Sequence, residues 1–183
     1  EITCHGQGAA WIFGPAPATV IDIGGQDSKI INIESGQVKD FSMNDKCSAG
    51  TGRFLEVMAG ALGISIPELC RLAERGNDLQ ISSMCTVFAE SEVVGLIGAG
   101  APVADIAHGI IASIVTRIAS QAAKLLLPDA QVYLTGGLCE NEQIMRALGT
   151  RLDRCIISDA RARYAGAIGA ALQARGREPY DSV

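Results

Sequence analysis

Thr19-Val20-Ile21-Asp22-Ile23-Gly24-Gly25-Gln26-Asp27, continued by Ser28-Lys29-Ile30-Ile31-Asn32-Ile33-Glu34, decides the fold. An apolar, β-branched run closing on a glycine pair reads as a buried strand entering a turn, and Ser28 to Glu34 resumes as a second strand. Ser35-Gly36 turns the chain again, and Gln37 to Phe41 supplies a third. Three strands joined by tight turns make an antiparallel meander.

Downstream the period changes from two to that of a helix. Apolar spacing predicts helices over about Thr51 to Leu62, Ile66 to Arg75, Thr86 to Ile97 and Val103 to Leu126, with Pro67 well placed in a first turn and Pro128 marking the last end. A buried strand is expected over Gln131 to Leu134, a helix over about Glu140 to Leu148, a short strand over Arg154 to Ile157 and a closing helix over Ala162 to Ala174. A meander followed by alternating helices and strands is an α/β arrangement with a mixed sheet. Before Thr19, Ile2 to Phe13 reads as the tail of an element that begins further upstream, and Pro15-Ala16-Pro17 as a rigid connector. The expected layout is a connecting segment over 1–18, a domain over 19–175 and a tail over 176–183.

Composition narrows the function classes. At 183 residues the chain can bury one substantial core. Hydrophobic content of 48% with 4% aromatics and 21 glycines suits a tightly packed α/β protein. A net charge of −5 with mixed signs argues against a nucleic-acid binder, which would carry a basic stripe. No uninterrupted apolar run reaches about 18 residues and no charged-then-apolar leader is present, so neither a membrane span nor a secretory signal is expected. The six cysteines lack disulfide-like spacing, which fits a cytoplasmic protein with buried thiols, reactive thiols or metal ligands. Cys70 and Cys155 stand in core-like patterns; Cys4 and Cys139 are open.

Four stretches carry candidate chemistry. In Asp22 to Asp27 a strand-end carboxylate precedes two glycines; the turn amides could hold phosphate oxygens while the carboxylate held Mg²⁺ through its waters or oriented an attacking water. An ordinary Gly-Gly hairpin accounts for the pattern equally well. In Met43-Asn44-Asp45-Lys46-Cys47-Ser48-Ala49-Gly50-Thr51-Gly52-Arg53-Phe54 a cysteine precedes a small-residue turn that opens a helix. Helix N-termini favour anions, here a phosphate, a thiolate or a metal–thiolate cluster; the alternative is a turn beside an inert, buried cysteine. Cys85 stands in a similar context, before a helix whose early acids Glu90 and Glu92 suit the helix dipole. Thr135-Gly136-Gly137 either admits a flat ligand such as a nucleoside or lets a strand turn into a helix. Elsewhere, Gly166 with Ala170 and Ala165 with Gly169 give the last helix faces for close helix packing. His5 and His108 have no ligand-spaced partners and read as surface or core histidines.

Taken in order, Asp22-Ile-Gly-Gly-Gln-Asp27, Met43 to Phe54, Cys85-Thr-Val-Phe-Ala-Glu-Ser-Glu92, Thr135-Gly-Gly137 and Tyr164-Ala-Gly-Ala-Ile-Gly-Ala170 resemble the motifs of activators of 2-hydroxyacyl-CoA dehydratases and of the ATPase subunits of benzoyl-CoA reductases. The resemblance implies the actin/Hsp70/sugar-kinase (ASKHA) fold, two ribonuclease-H-like domains with ATP or ADP and Mg²⁺ between them. It implies a homodimer, or a related heteromer, around one [4Fe–4S] cluster. Such a cluster generally takes four cysteines, so Cys47 and Cys85 from each of two subunits would complete the set, with the helix that begins near Gly50 aimed at it. By the same resemblance Gly24, Gly25, Gln26 and Asp27 sense the γ-phosphate, Asp22 holds Mg²⁺ or its water and Gln26 places the attacking water. Gly50, Thr51 and Gly52 also belong to the nucleotide site, and Gly136 and Gly137 lie under the nucleoside. ATP hydrolysis would then drive a low-potential electron from the cluster, supplied by ferredoxin or flavodoxin, to a dehydratase or reductase component. The family's N-terminal half, with its first phosphate hairpin, is not matched, so the chain by itself is expected to bind and hydrolyse nucleotide poorly. A sugar- or acid-kinase-like phosphotransferase without a cluster, and a nucleotide-responsive interaction module without turnover, are the competing readings.

Overall fold

The computed structural model describes residues 1–82 and 85–175. Among these the strands β1 (Ala18–Ile23), β2 (Ser28–Glu34), β3 (Gln37–Asn44), β4 (Gln131–Gly136) and β5 (Ile156–Ile157) form one sheet in the order β3-β2-β1-β4-β5. The first three are antiparallel; β4 runs parallel to β1 and to β5. Helices α1 (Ile2–Phe13), α2 (Gly52–Leu62), α3 (Ile66–Ala73), α4 (Thr86–Gly98), α5 (Val103–Ala122), α6 (Glu142–Leu152) and α7 (Ala165–Arg175) surround it. This mixed, helix-covered sheet is the ribonuclease-H-like arrangement of the expected α/β class. The expected tail, 176–183, lies outside the described residues.

Strand periodicity sorts the side chains into two cores. Ile21, Ile23, Ile30, Val132 and Leu134 join α2, α3, α5 and α6 in the larger one. Val20, Ile31, Ile33 and Tyr133 face the other way, against Ala9, Ala10 and Phe13 of α1. By length and composition α5 could cross a membrane. Its stripe Ile106, Ile110, Ile114 and Ile118, spaced by four, is instead buried in the larger core.

Differences from the expected boundaries have local causes. Ser35 and Gly36, with φ of 52° and 74°, make the β2–β3 hairpin turn as expected. Helix α5 stops at Ala122 rather than Leu126, because buried side chains draw the following backbone toward the sheet. Asn32 Nδ2 donates to the Leu125 carbonyl at 2.7 Å and Leu127 N–H donates to Thr19 Oγ1 at 3.2 Å. Helix α7 starts three residues late, because Asp159 caps a 3₁₀ turn over Ala160–Tyr164 by accepting from Arg161 N–H. The Arg161 guanidinium, which lies over the Trp11 ring, holds the Asp159 carboxyl at about 2.

Ile2–Phe13, expected as the tail of an element, forms a twelve-residue helix that lies on α7. A Cβ at Gly8 would overlap the Ala165 carbonyl, and one at Gly169 would overlap the Cys4 carbonyl. The Ala165/Gly169 face thus finds its close-packing helix in α1. Gly8→Ala should therefore destabilise the protein by about 1–3 kcal/mol. Gly60→Ala, on the exposed face of α2 with nothing within 4 Å, should stabilise it by up to about 1 kcal/mol. Urea unfolding of the two variants checks the opposite signs.

Candidate nucleotide and thiolate site

Three polar residues stand side by side where β1 and β4 end and β2 begins. The register sets Asp22 opposite Lys29 on β2 and opposite Thr135 on β4, all on the α1 face of the sheet. All three are buried. Asp22 Oδ2 accepts from Lys29 Nζ at 3.2 Å, and Oδ1 accepts from the Thr135 hydroxyl at 2.9 Å. Lys29 also reaches Asp27 Oδ1 at 2.8 Å and Glu1 Oε1 at 3.1 Å. Burial works against the Lys29 charge, but Asp27, Asp22 and Glu1 together outweigh it and raise the pKa above the ordinary lysine range.

His5 of α1 completes the group, its Nε2 lying 2.9 Å from Thr135 Oγ1 and 3.3 Å from Asp22 Oδ1. Because the Thr135 proton goes to Asp22, His5 Nε2 must carry the hydrogen. Burial outweighs the attraction of Asp22 and lowers the imidazole pKa, so His5 is neutral at pH 7. A histidine read from sequence as having no partner in ligand spacing is therefore part of the site. Only the turn of the chain that lays α1 over the strand ends reveals it.

The glycines divide into two kinds. Gly24 N–H bonds the Asp27 carbonyl at 2.9 Å to close the β1–β2 turn, and the Asp27 side chain folds over Gly24. Gly136, at φ 87°, packs so closely on the Ile23 carbonyl and Asp22 Oδ1 that a side chain has no room. A Cβ at Gly25 or Gly137, by contrast, would meet nothing within 4 Å. These two glycines leave open space on the outer side of the turn, where Gln26 is also exposed.

The start of α2 behaves differently from the sequence expectation. Gly52 N–H donates to the Gly24 carbonyl at 2.8 Å and Arg53 N–H to the Gly25 carbonyl at 2.7 Å. These first-turn amides, expected to face an anion, instead clamp the hairpin; the positive end of α2 is spent on two carbonyl oxygens. Gly50, Thr51 and Gly52 thus form the seat of the hairpin. Gly52 lies against Gly24 and Gly25, and Gly50, at φ 88°, lies against the Arg117 side chain.

From that seat, hydrogen bonds run on to the cysteines. Thr51 Oγ1 donates to the Ser48 carbonyl at 2.7 Å, and Ser48 Oγ and Thr86 Oγ1 are 2.8 Å apart. Ser48 follows Cys47 and Thr86 follows Cys85, so the bond sets the two cysteine-bearing stretches side by side. Asn44 Nδ2 fixes the first by donating to the Cys47 and Ala49 carbonyls at 2.9 and 3.0 Å. Cys85 is the N-cap residue of α4, so partial positive charge faces its thiol. Cys47 is half-buried and Cys85 exposed. Glu92 accepts from the Ser82 N–H at 3.0 Å, tying Ser82 to α4.

The remaining cysteines separate plainly. Cys70 is buried as expected; burial raises its thiol pKa even though Asn141 Nδ2 donates to its sulfur. Cys139 is buried and Cys4 partly so. Cys155, expected in the core, is exposed, because the two-residue β5 is an edge strand only partly covered. His108 is tied to the Ala73 carbonyl between helices α3 and α5.

An ASKHA-type sheet with a glycine hairpin opening on free space at its strand ends is the frame of a nucleotide-handling protein. The chain belongs to the BadF/BadG/BcrA/BcrD ATPase family, whose model matches residues 1–174. It is 44% identical over 176 residues to the (R)-2-hydroxyglutaryl-CoA dehydratase activating ATPase of Acidaminococcus fermentans, covering 95% of this chain and 66% of that relative. Superposition on the crystal structure of the A. fermentans (R)-2-hydroxyglutaryl-CoA dehydratase component A gives a TM-score of 0.87 at 43% identity, over 94% of this chain and 66% of that one. The activator of the 2-hydroxyisocaproyl-CoA dehydratase from Clostridium difficile with bound ADPNP gives 0.85 at 36% identity, over 99% and 70%. The chain spans about two thirds of the length of the curated relatives it matches.

The lowered His5 pKa has a pH signature. The unfolded chain takes up the imidazole proton near the ordinary value of 6.5, before the folded one does. Stability from this group is complete above that pH and is lost as pH falls through the folded-state value. His5→Gln should flatten that part of the profile, measured as urea-unfolding free energy between about pH 7 and 5; an unchanged slope would show that His5 is not held neutral.

Proposed function

We propose that the protein is an ATP-dependent activator. In it, hydrolysis of ATP to ADP and phosphate promotes release of one low-potential electron from a [4Fe–4S] cluster shared by two copies of the chain. The acceptor is a 2-hydroxyacyl-CoA dehydratase or benzoyl-CoA reductase component, and the donor a ferredoxin or flavodoxin. The observation that carries the reading is the continuous set of bonds from the Gly24-Gly25 hairpin through Gly52, Arg53, Thr51 and Ser48 to Thr86, ending beside both thiols. A hairpin that shifts with the γ-phosphate would pull on the stretches holding Cys47 and Cys85.

The donor set is compatible with the cluster: the stretches carrying Cys47 and Cys85 are joined by the Ser48–Thr86 bond, and in this reading a second copy would supply the other two thiols. Val87 and Phe88, 65% and 68% exposed beside Cys85, are apolar surface that a second copy would cover. The cluster, when bound, supplies the one-electron chemistry. The polypeptide's part is to hold the thiolates, face them with the start of α4 and link their positions to the hairpin.

For Mg²⁺ the fit fails at Asp22. Its oxygens are taken by Thr135, His5 and Lys29, and an ammonium at 3.2 Å is a poor neighbour for a divalent cation. Asp22 instead anchors Lys29, which bridges to Asp27 and so sets the hairpin whose amides, with Gln26 exposed at the turn, would meet the phosphates. Gly136 and Gly137 would lie under the nucleoside.

The test is anaerobic purification of the protein from its complete reading frame, with iron and acid-labile sulfide determined in wild type, Cys47→Ser and Cys85→Ser. About four irons per dimer, lost in either variant, is the expected result. An iron-free protein that still turns over ATP would overturn the reading.

A further inference from the structure

His5 has no part in the function proposed above, yet its ring N–H donates to the hydroxyl that bonds the carboxylate on which the hairpin depends. The imidazole is 8% exposed, with Nε2 2.9 Å from Thr135 Oγ1 and 3.3 Å from Asp22 Oδ1. Asp22 Oδ1 therefore receives the Thr135 hydroxyl and lies next to the His5 donor, while Oδ2 receives Lys29. The ring donates to the hydroxyl that in turn bonds the carboxylate, and it lies 3.3 Å from the carboxylate itself.

Its other side is equally constrained. His5 stands on α1, whose backbone meets that of α7 at Gly8 and Gly169 without room for a methyl group. A Cβ on Gly166 of α7 would lie 3.5 Å from His5 Nδ1. The ring is held between a helix pair in backbone contact and the ends of β1 and β4. Charged groups around it are Asp22 on β1, Lys29 on β2, Asp27 in the turn and Glu1 before α1.

We propose that His5 is a positioning residue for ATP hydrolysis, fixing the Asp22 carboxylate through the Thr135 hydroxyl, and thereby tying the phosphate hairpin to the α1–α7 helix pair. It acts through Asp22, Lys29 and Asp27 and does not itself exchange a proton with the nucleotide. A displacement of α1 re-aims Asp22 and, with it, the Lys29 bridge to the turn; a change in the turn is felt at α1. The proposal rests on the nucleotide reading of the hairpin given above.

The test uses the protein from its complete reading frame and compares wild type with His5→Leu and His5→Gln. Leucine keeps the packing and removes the donor; the glutamine amide restores an N–H near the position of Nε2. ATPase kcat should fall about ten- to a hundredfold in His5→Leu, the cost of a misplaced group, with KM little changed. His5→Gln should recover most of the rate. Wild-type kcat in His5→Leu, or an equal loss in both variants with parallel loss of folding, would overturn the positioning role alone. A wild-type protein that neither binds nor hydrolyses ATP would overturn the nucleotide reading and the proposal with it.

Discussion

The contact between Asp22 and Lys29, 3.2 Å long and buried on both sides, is the constraint on which the rest of the site depends. A buried pair of this kind is costly to desolvate, and removing one member leaves a charge worth about 3–5 kcal/mol in lost stability. The chain retains it by surrounding it with further partners: Asp27 and Glu1 on the lysine, Thr135 and His5 on the aspartate. The result is a fixed point at the ends of three neighbouring strands, from which the turn over Gly24 and Gly25 projects.

Two helical systems meet at that point from opposite faces of the sheet. On one face α1 and α7, in backbone contact, deliver His5 to the carboxylate. On the other, α2 takes hold of the hairpin carbonyls with its first amides and continues through Thr51 and Ser48 to the cysteine stretches. The dipole of α2 stabilises the hairpin, and that of α4 faces Cys85. In the proposed function, a site at the junction of these two helical systems would convert a local change at a phosphate into a change at Cys47 and Cys85.

Much of this was legible in the chain. The apolar run Thr19 to Ile23 marked β1 as a buried strand, Ser28 to Glu34 read as the second strand, and the Gly24-Gly25 and Ser35-Gly36 pairs marked their turns. Small residues at Ala165 and Gly169 announced a close helix contact, although not that α1 would make it. What escaped depends on three-dimensional register. Lys29 read as one polar position in a strand until β1 and β2 paired it with Asp22. His5 lacked a partner because its partners are 17 and 130 residues away. The amides at the start of α2 read as free because sequence carries no sign that the Gly24 and Gly25 carbonyls would turn toward them. Cys155 read as core because Ile156-Ile157 resembles an interior strand, whereas its place is the sheet edge.

In the proposed function, nucleotide meets the protein at this hairpin and at the Gly136-Gly137 turn beside it. Amide hydrogen exchange with and without ADPNP measures that most directly, on the protein from its complete reading frame. Added protection should concentrate over 23–28 and 135–139, with a smaller change over 47–52. Protection confined to other surfaces, such as the groove between α5 and α6, with the hairpin unchanged, would contradict it.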